Sequence, residues 1–116
     1  MTADPKEVAS LIAQAAADKK ARDVVVLDLH EISVICDYFV ICSGNSSTQV
    51  KAIAENIEKE LKAKEIMVSR VEGKQDARWV LLDYASVVAH VFQEDERSFY
   101  SLEHLWGDAR VCEVLK

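Results

Sequence analysis

Residues 38–61 read YFVICSGNSSTQVKAIAENIEKEL, and they pass from a strand into a helix through a turn of small polar residues. Tyr38 to Cys42 is an unbroken apolar run of the kind a strand covered on both faces requires. Ser46 followed three residues later by Gln49 satisfies the capping-box pattern, and Val50, Ile53, Ala54, Ile57 and Leu61 then recur at helical spacing. The pattern predicts a helix running to about Lys64. Gly44 and Asn45 are expected to supply the positive φ of a tight turn, with Ser46 as the helix cap. The same three parts, strand, small-residue loop and helix N-terminus, also build anion sites, because unpaired N–H groups and the helix dipole converge there. Whether this loop holds a phosphate separates an enzyme from a binding protein.

Upstream, Asp4-Pro5-Lys6-Glu7 combines a cap residue, proline at the first helical position and Glu three residues after the cap. A helix is predicted from there to about Lys19–Ala21, with Val8, Leu11, Ile12 and Ala15 on its apolar stripe. DVVVLDLHEI follows, and Val24 to Leu27 reads as a doubly covered strand. Downstream of the second helix, IMVSRVEG reads as a strand that turns at Glu72-Gly73. RWVLLDY and VVAHVF read as two more strands joined through Asp83-Tyr84-Ala85-Ser86. Asp95 is placed to cap a last helix carrying Phe99, Leu102, Leu105 and Trp106 and ending near Gly107. The tail, 110–116, is open to a strand, a short helix or disorder. This order implies an α/β (α+β) chain of one domain, 1–116, with a mixed sheet covered by helices and antiparallel strands toward the C-terminal side.

The totals narrow the function classes. A chain of 116 residues, half of them apolar, can bury a core without disulfides or metal. Cys36, Cys42 and Cys112 are odd in number and lack Cys-x-x-Cys spacing, so they read as reduced thiols. The N-terminus has neither secretory nor transit-peptide character, and no apolar run reaches membrane-span length, so a cytoplasmic protein is expected. The formal charge of −6, without a dense basic run, argues against direct nucleic-acid binding beyond incidental contact. An acidic surface suits a basic protein partner.

Catalytic patterns fail one after another. CSGNSS meets neither the Walker pattern nor the three-glycine dinucleotide fingerprint. A nucleotidyl- or phosphotransferase needs paired carboxylates for its divalent metals, whereas Asp28, Asp37 and Asp83 stand singly on their segments. His30, His90 and His104 have no metal-like spacing, and Asp83 with His90 lacks a nucleophile elbow. No catalytic residue, metal or cofactor is expected, and the turn reading of the loop prevails over a phosphate site.

What remains is a surface. Alternation puts Trp79, Leu81 and Asp83 on one face of their strand, and His90 with Val88 and Phe92 on one face of the next. Such a face is either a docking surface or a core face with polar groups at its rim. QEDERSFYSLEHLWGDA sets Glu94, Asp95, Glu96 and Glu103 beside Tyr100 and Trp106. That mixture fits a cationic partner, or simply an amphipathic helix with a solvated acidic side.

Several of these segments, in order, resemble one family: LDLHEISVICDYFVICSGNSSTQVKAIAENI, then VEGKQDARWVLLDYASVVAHVFQEDERSFYSLEHLWGDA. They are similar to the ribosomal silencing factors, also called the iojap-like family, over about Pro5 to Ala109. The resemblance implies a nucleotidyltransferase-like fold without transferase groups. It implies binding to the large ribosomal subunit through its basic ribosomal protein number fourteen. Small-subunit joining would then be blocked and translation repressed in starvation. It also implies a homodimer in the free state; the alternative to silencing is a role in large-subunit assembly. Charge and desolvation together with this resemblance make the expected partner-binding residues Trp79, Asp83, His90, Glu94, Arg97, Tyr100, Leu102, Glu103 and Trp106. One departure is visible: Ala85-Ser86 stands where such proteins usually carry Gly-Asp.

Overall fold

Two helices pack on one face of a six-stranded mixed sheet in the computed structural model, which describes residues 4–29 and 36–94 and the backbone of 110–112. Helix α1 spans Pro5–Asp18 and α2 spans Ser47–Ala63. The strands are β1 (Arg22–Asp28), β2 (Tyr38–Gly44), β3 (Arg70–Glu72), β4 (Trp79–Asp83), β5 (Val87–Gln93) and β6 (Arg110–Cys112). Their spatial order is β3-β4-β5-β2-β1-β6, in which β2 and β5 run parallel and the other neighbours antiparallel. This is the α+β architecture expected, and the tail contributes β6, paired with β1.

The helices begin where their caps indicate. Asp4 is extended and precedes Pro5, although its side chain makes no cap bond, and Ser46 Oγ accepts from Gln49 N–H at 3.1 Å. Both helices close on the same motif. Lys20 N–H donates to Ala17 O and Ala21 N–H to Ala16 O; Glu65 N–H donates to Lys62 O and Ile66 N–H to Leu61 O. These are Schellman closures, and Lys20 (φ 63) and Glu65 (φ 62) occupy the left-handed position that glycine takes at least cost.

Val8, Ile12, Ile53, Ile57 and Leu61 from the helices meet Val26, Val40, Val80, Leu82 and Val91 from the sheet in the main core. One buried polar contact ties the helices: Asn56 Nδ2 donates to Ala15 O at 2.8 Å, within the last turn of α1, where carbonyls lack helical partners. Gln49 makes a second tie, from its Nε2 to Lys19 O and Lys20 O at 3.3 and 3.0 Å. Alternate strand residues point to the opposite face. There Leu27, Leu29, Cys36, Ile41 and Phe92 form a smaller cluster, with Val25, Phe39, Trp79 and Val88 partly buried against it. Cys36 and Cys42 are both buried thiols.

Two expectations need correction. Gly44 and Asn45 do not adopt positive φ; Gly44 ends β2, and among the described glycines only Gly73 is left-handed, at φ +79. Gly44 is instead crowded by the first turn of α2. A Cβ there would lie 3.1 Å from Val50 Cγ2 and 3.2 Å from Val50 N. The second correction concerns IMVSRVEG, of which only Arg70–Glu72 is strand. Strand β4 is five residues long and pairs with β3 through Leu81, Leu82 and Asp83. Ser69 N–H takes Asp83 O, and beyond it the neighbouring chain turns away at Tyr84, so residues 66–68 have no ladder to join. Among the described residues no helix is long and apolar enough to cross a membrane.

Candidate functional site

Cross-strand register assembles the face opposite the helices. Trp79 pairs with Phe92, Leu81 with His90 and Asp83 with Val88, while on the other flank of β5 Ile41 pairs with His90 and Phe39 with Val88. Directly paired residues project to the same side of a sheet, so Trp79, Asp83, His90, Phe39 and Phe92 share one surface. The alternation of β4 shows it in burial: Val80 and Leu82 are fully buried toward the helices, and Trp79, Leu81 and Asp83 are half-buried on the other side.

The centre is an aromatic cluster organised by one hydrogen bond. Trp79 Nε1–H donates to His90 Nδ1 at 3.0 Å. The indole lies against Phe92 with ring centroids 5.0 Å apart and planes inclined by 27°, and Phe39 meets His90 edge-on at 4.6 Å. An indole N–H can only donate, so His90 Nδ1 is the bare nitrogen and the proton of the neutral ring sits on Nε2. His90 is 4 % exposed, and its Nε2 has no hydrogen-bond partner among the described residues. Burial pushes its pKa down from 6.5 to about 4, so the ring is neutral at physiological pH. Its basic nitrogen is already engaged by Trp79, which leaves it poorly placed to act as a general base.

The carboxylates stand away from this centre. Asp83 Oδ1 accepts from Ala85 N–H at 2.8 Å and so organises the β4–β5 turn, while Oδ2 faces Arg70 Nη2 at 3.9 Å. Glu94 follows the far end of β5 and pairs with Arg22 Nη1 at 3.1 Å. Asp83 sits beside the start of β5 and Glu94 beyond its end, about 20 Å apart along the strand. The two carboxylates therefore flank the aromatic cluster at opposite ends. Arg97, Tyr100, Leu102, Glu103 and Trp106 lie outside the described residues, as does the helix expected after Asp95.

Phe39 and Phe92 belong to the cluster; alternation already placed Phe92 on the face of His90, whereas Phe39 was not among the expected site residues. The signal that places Phe39 is the parallel register of β2 with β5, a tertiary property. Behind the face, Tyr84 is buried with its hydroxyl unpartnered among the described residues. Desolvation first, and the Glu58 carboxylate second, push its pKa above the usual phenol range.

The loop between β2 and α2 spends some of its donors internally. Asn45 N–H donates to Gln49 Oε1 at 2.7 Å, Gln49 N–H to Ser46 Oγ, and Val50 N–H to Ser46 O. Side-chain capping of this kind competes with a bound phosphate for the same groups. Among the described residues no group of three or more His, Cys, Asp and Glu side chains is placed to hold a metal ion.

In the helix-bearing segments 4–20 and 47–65, seven lysines are balanced by seven carboxylates, so the net charge of −6 is carried by the rest of the sequence, most of it by residues outside the described ones.

Comparison with known proteins follows the same outline. The family model described as "Ribosomal silencing factor during starvation" matches residues 2–116. The Bacillus subtilis protein named ribosomal silencing factor RsfS is 48 % identical over 109 residues, covering 94 % of this chain and 92 % of that one. A crystal structure from Bacillus halodurans, 45 % identical, superposes with a TM-score of 0.83 over 93 % of this chain and 98 % of its own. One from Chromobacterium violaceum, 31 % identical, reaches 0.88 over 90 % and 88 %.

Proposed function

Because this chain belongs to the ribosomal silencing factor family, we propose that it binds the large ribosomal subunit through ribosomal protein fourteen, blocks joining of the small subunit and so represses translation in starvation. The observation that carries the reading is the family match across residues 2–116, with relatives at up to 49 % identity over most of the chain. A regulatory factor, as the family name describes, has no need of a catalytic centre.

The geometry supports a docking role for the sheet face. Large amphipathic rings held rigidly at a half-buried position lose little entropy on binding and supply most of an interface's energy. Trp79 has that character: it is stacked on Phe92, hydrogen-bonded to His90 and partly exposed. His90, being buried, contributes through Trp79. Asp83 and Glu94 flank the rings as carboxylates that a basic protein would meet during approach to a chain of net charge −6. Arg97, Tyr100, Leu102, Glu103 and Trp106 extend this surface in the proposal. The free protein is proposed to be a homodimer in the cytoplasm, which light scattering tests against the 13.0 kDa of one chain.

Sedimentation of purified subunits tests the main reading. With the protein added, large and small subunits are expected to remain apart and the protein to travel with the large one. Joining at the normal extent, with the protein left at the top of the gradient, refutes it. Docking steered by charge is further expected to weaken as salt rises, since exposed charges are screened within about 8 Å at physiological ionic strength.

A further inference from the structure

We propose that His90 is a positioning residue for Trp79: its Nδ1 fixes the indole in the one orientation that docking requires, so that the acceptor at position 90, and not the bulk of the ring, is what the interface needs. The inference rests on the docking reading given above and adds to it a residue that hardly meets solvent.

An imidazole at a 4 % exposed position, with one nitrogen lacking a partner among the described residues, is a poor way to fill a core. A buried donor without an acceptor forfeits its hydration and gains nothing in return, whereas an aliphatic side chain of similar volume would carry no such penalty. The surroundings are apolar: Phe39 edge-on, Phe92 behind, and Ile41 and Leu81 as direct cross-strand neighbours. In that setting the one thing His90 does that Leu cannot is accept the indole N–H. Without it, the Trp79 N–H loses this acceptor. Stacking on Phe92 restrains the tilt of the ring more than its rotation in plane, because stacking has little directional preference about the ring normal. The directional hydrogen bond at 3.0 Å restrains that rotation. An anchor frozen before contact binds more tightly than one frozen on contact.

Two variants of the full chain separate acceptor from bulk. His90→Asn keeps an acceptor near the place of Nδ1, and His90→Leu keeps volume without one. Nuclear magnetic resonance reads the exchange protection of the Trp79 indole proton, and sedimentation reads affinity for the large subunit. In His90→Leu the proton is expected to exchange at least tenfold faster and binding to weaken about tenfold. His90→Asn should stay within about threefold of the parent in both. Loss in both variants alike, or in neither, overturns the proposal. Should His90→Leu fail to fold, the parent chain decides: ring nitrogen shifts must show Nδ1 bare and Nε2 protonated, and the opposite tautomer overturns it. If the parent does not bind the subunit, the functional reading fails, while the exchange measurement still judges the positioning role.

Discussion

Replacing Gly73 by Ala should damage the approach to the aromatic face more than any comparable change in a loop. Gly73 lies at φ +79 and starts the turn in which Ala77 N–H donates to Gly73 O, delivering the chain to Trp79. A Cβ built there falls 2.1 Å from Trp79 O, a backbone atom that no rotamer change can move aside. Forcing an L-residue into the left-handed region costs about 1–2 kcal/mol. Stiffening the unfolded chain returns about 0.5–1 kcal/mol. Separating the new methyl from the carbonyl requires a shift of about 1 Å at the first residue of β4, for which overpacking costs of roughly 1–3 kcal/mol are the guide. The net loss is then about 2–4 kcal/mol, out of the roughly 5–15 kcal/mol that domains usually possess. Urea unfolding followed by circular dichroism measures it as a lowered midpoint with an unchanged slope. Gly44→Ala provides the contrast, because Gly44 has no positive φ and its tightest contact is a side-chain methyl at 3.1 Å; it should lose only about 1 kcal/mol. A Gly73→Ala loss under about 1 kcal/mol, or one no larger than at Gly44, would refute the claim that backbone contact with Trp79 O makes this glycine necessary.

Three further outcomes are expected. Ala85, at φ 71 in the β4–β5 turn, holds a conformation that glycine adopts freely, so Ala85→Gly should raise stability by about 0.5 kcal/mol once the added unfolded-state freedom is subtracted, visible as a small upward shift in melting temperature. Asn56→Ala removes the Nδ2 donor that reaches Ala15 O and should cost about 1–3 kcal/mol in urea unfolding; a smaller loss would mean that another donor reaches that carbonyl. The pKa of His90 falls from 6.5 to about 4 on folding, so between these values the unfolded chain binds more protons. Stability should accordingly fall by about 3 kcal/mol as pH drops from 6.5 to 4, and the difference between the parent and His90→Leu isolates that share from the carboxylates. A pH-independent difference would contradict the buried, neutral ring.

How far the chain could be read without its structure depended on the range of the interaction concerned. Pro5 at the first helical position and Ser46-x-x-Gln49 announced both helix starts, because the proline's fixed φ and the serine cap act on residues that are neighbours in sequence. The alternation of RWVLLDY and VVAHVF placed Trp79 with Asp83, and His90 with Phe92, for an equally local reason: successive strand side chains point to opposite sides. Likewise the order of segments was enough to indicate a mixed α+β sheet. Tertiary structure decided everything that needed a partner distant in sequence. The ladder for residues 66–72 ended where β4 ended, Gly44 is crowded by the approach of Val50 and not set by a turn dihedral, and Gln49 reached back across 30 residues to Lys19 as well as capping its own helix. The hydrogen bond from Trp79 to His90 belongs to this second kind. It depends on the register of β4 against β5, which pairs Trp79 with Phe92 and sets His90 two positions along on the same face; a slip of β4 by one residue would turn its side chains to the other side and separate the two rings.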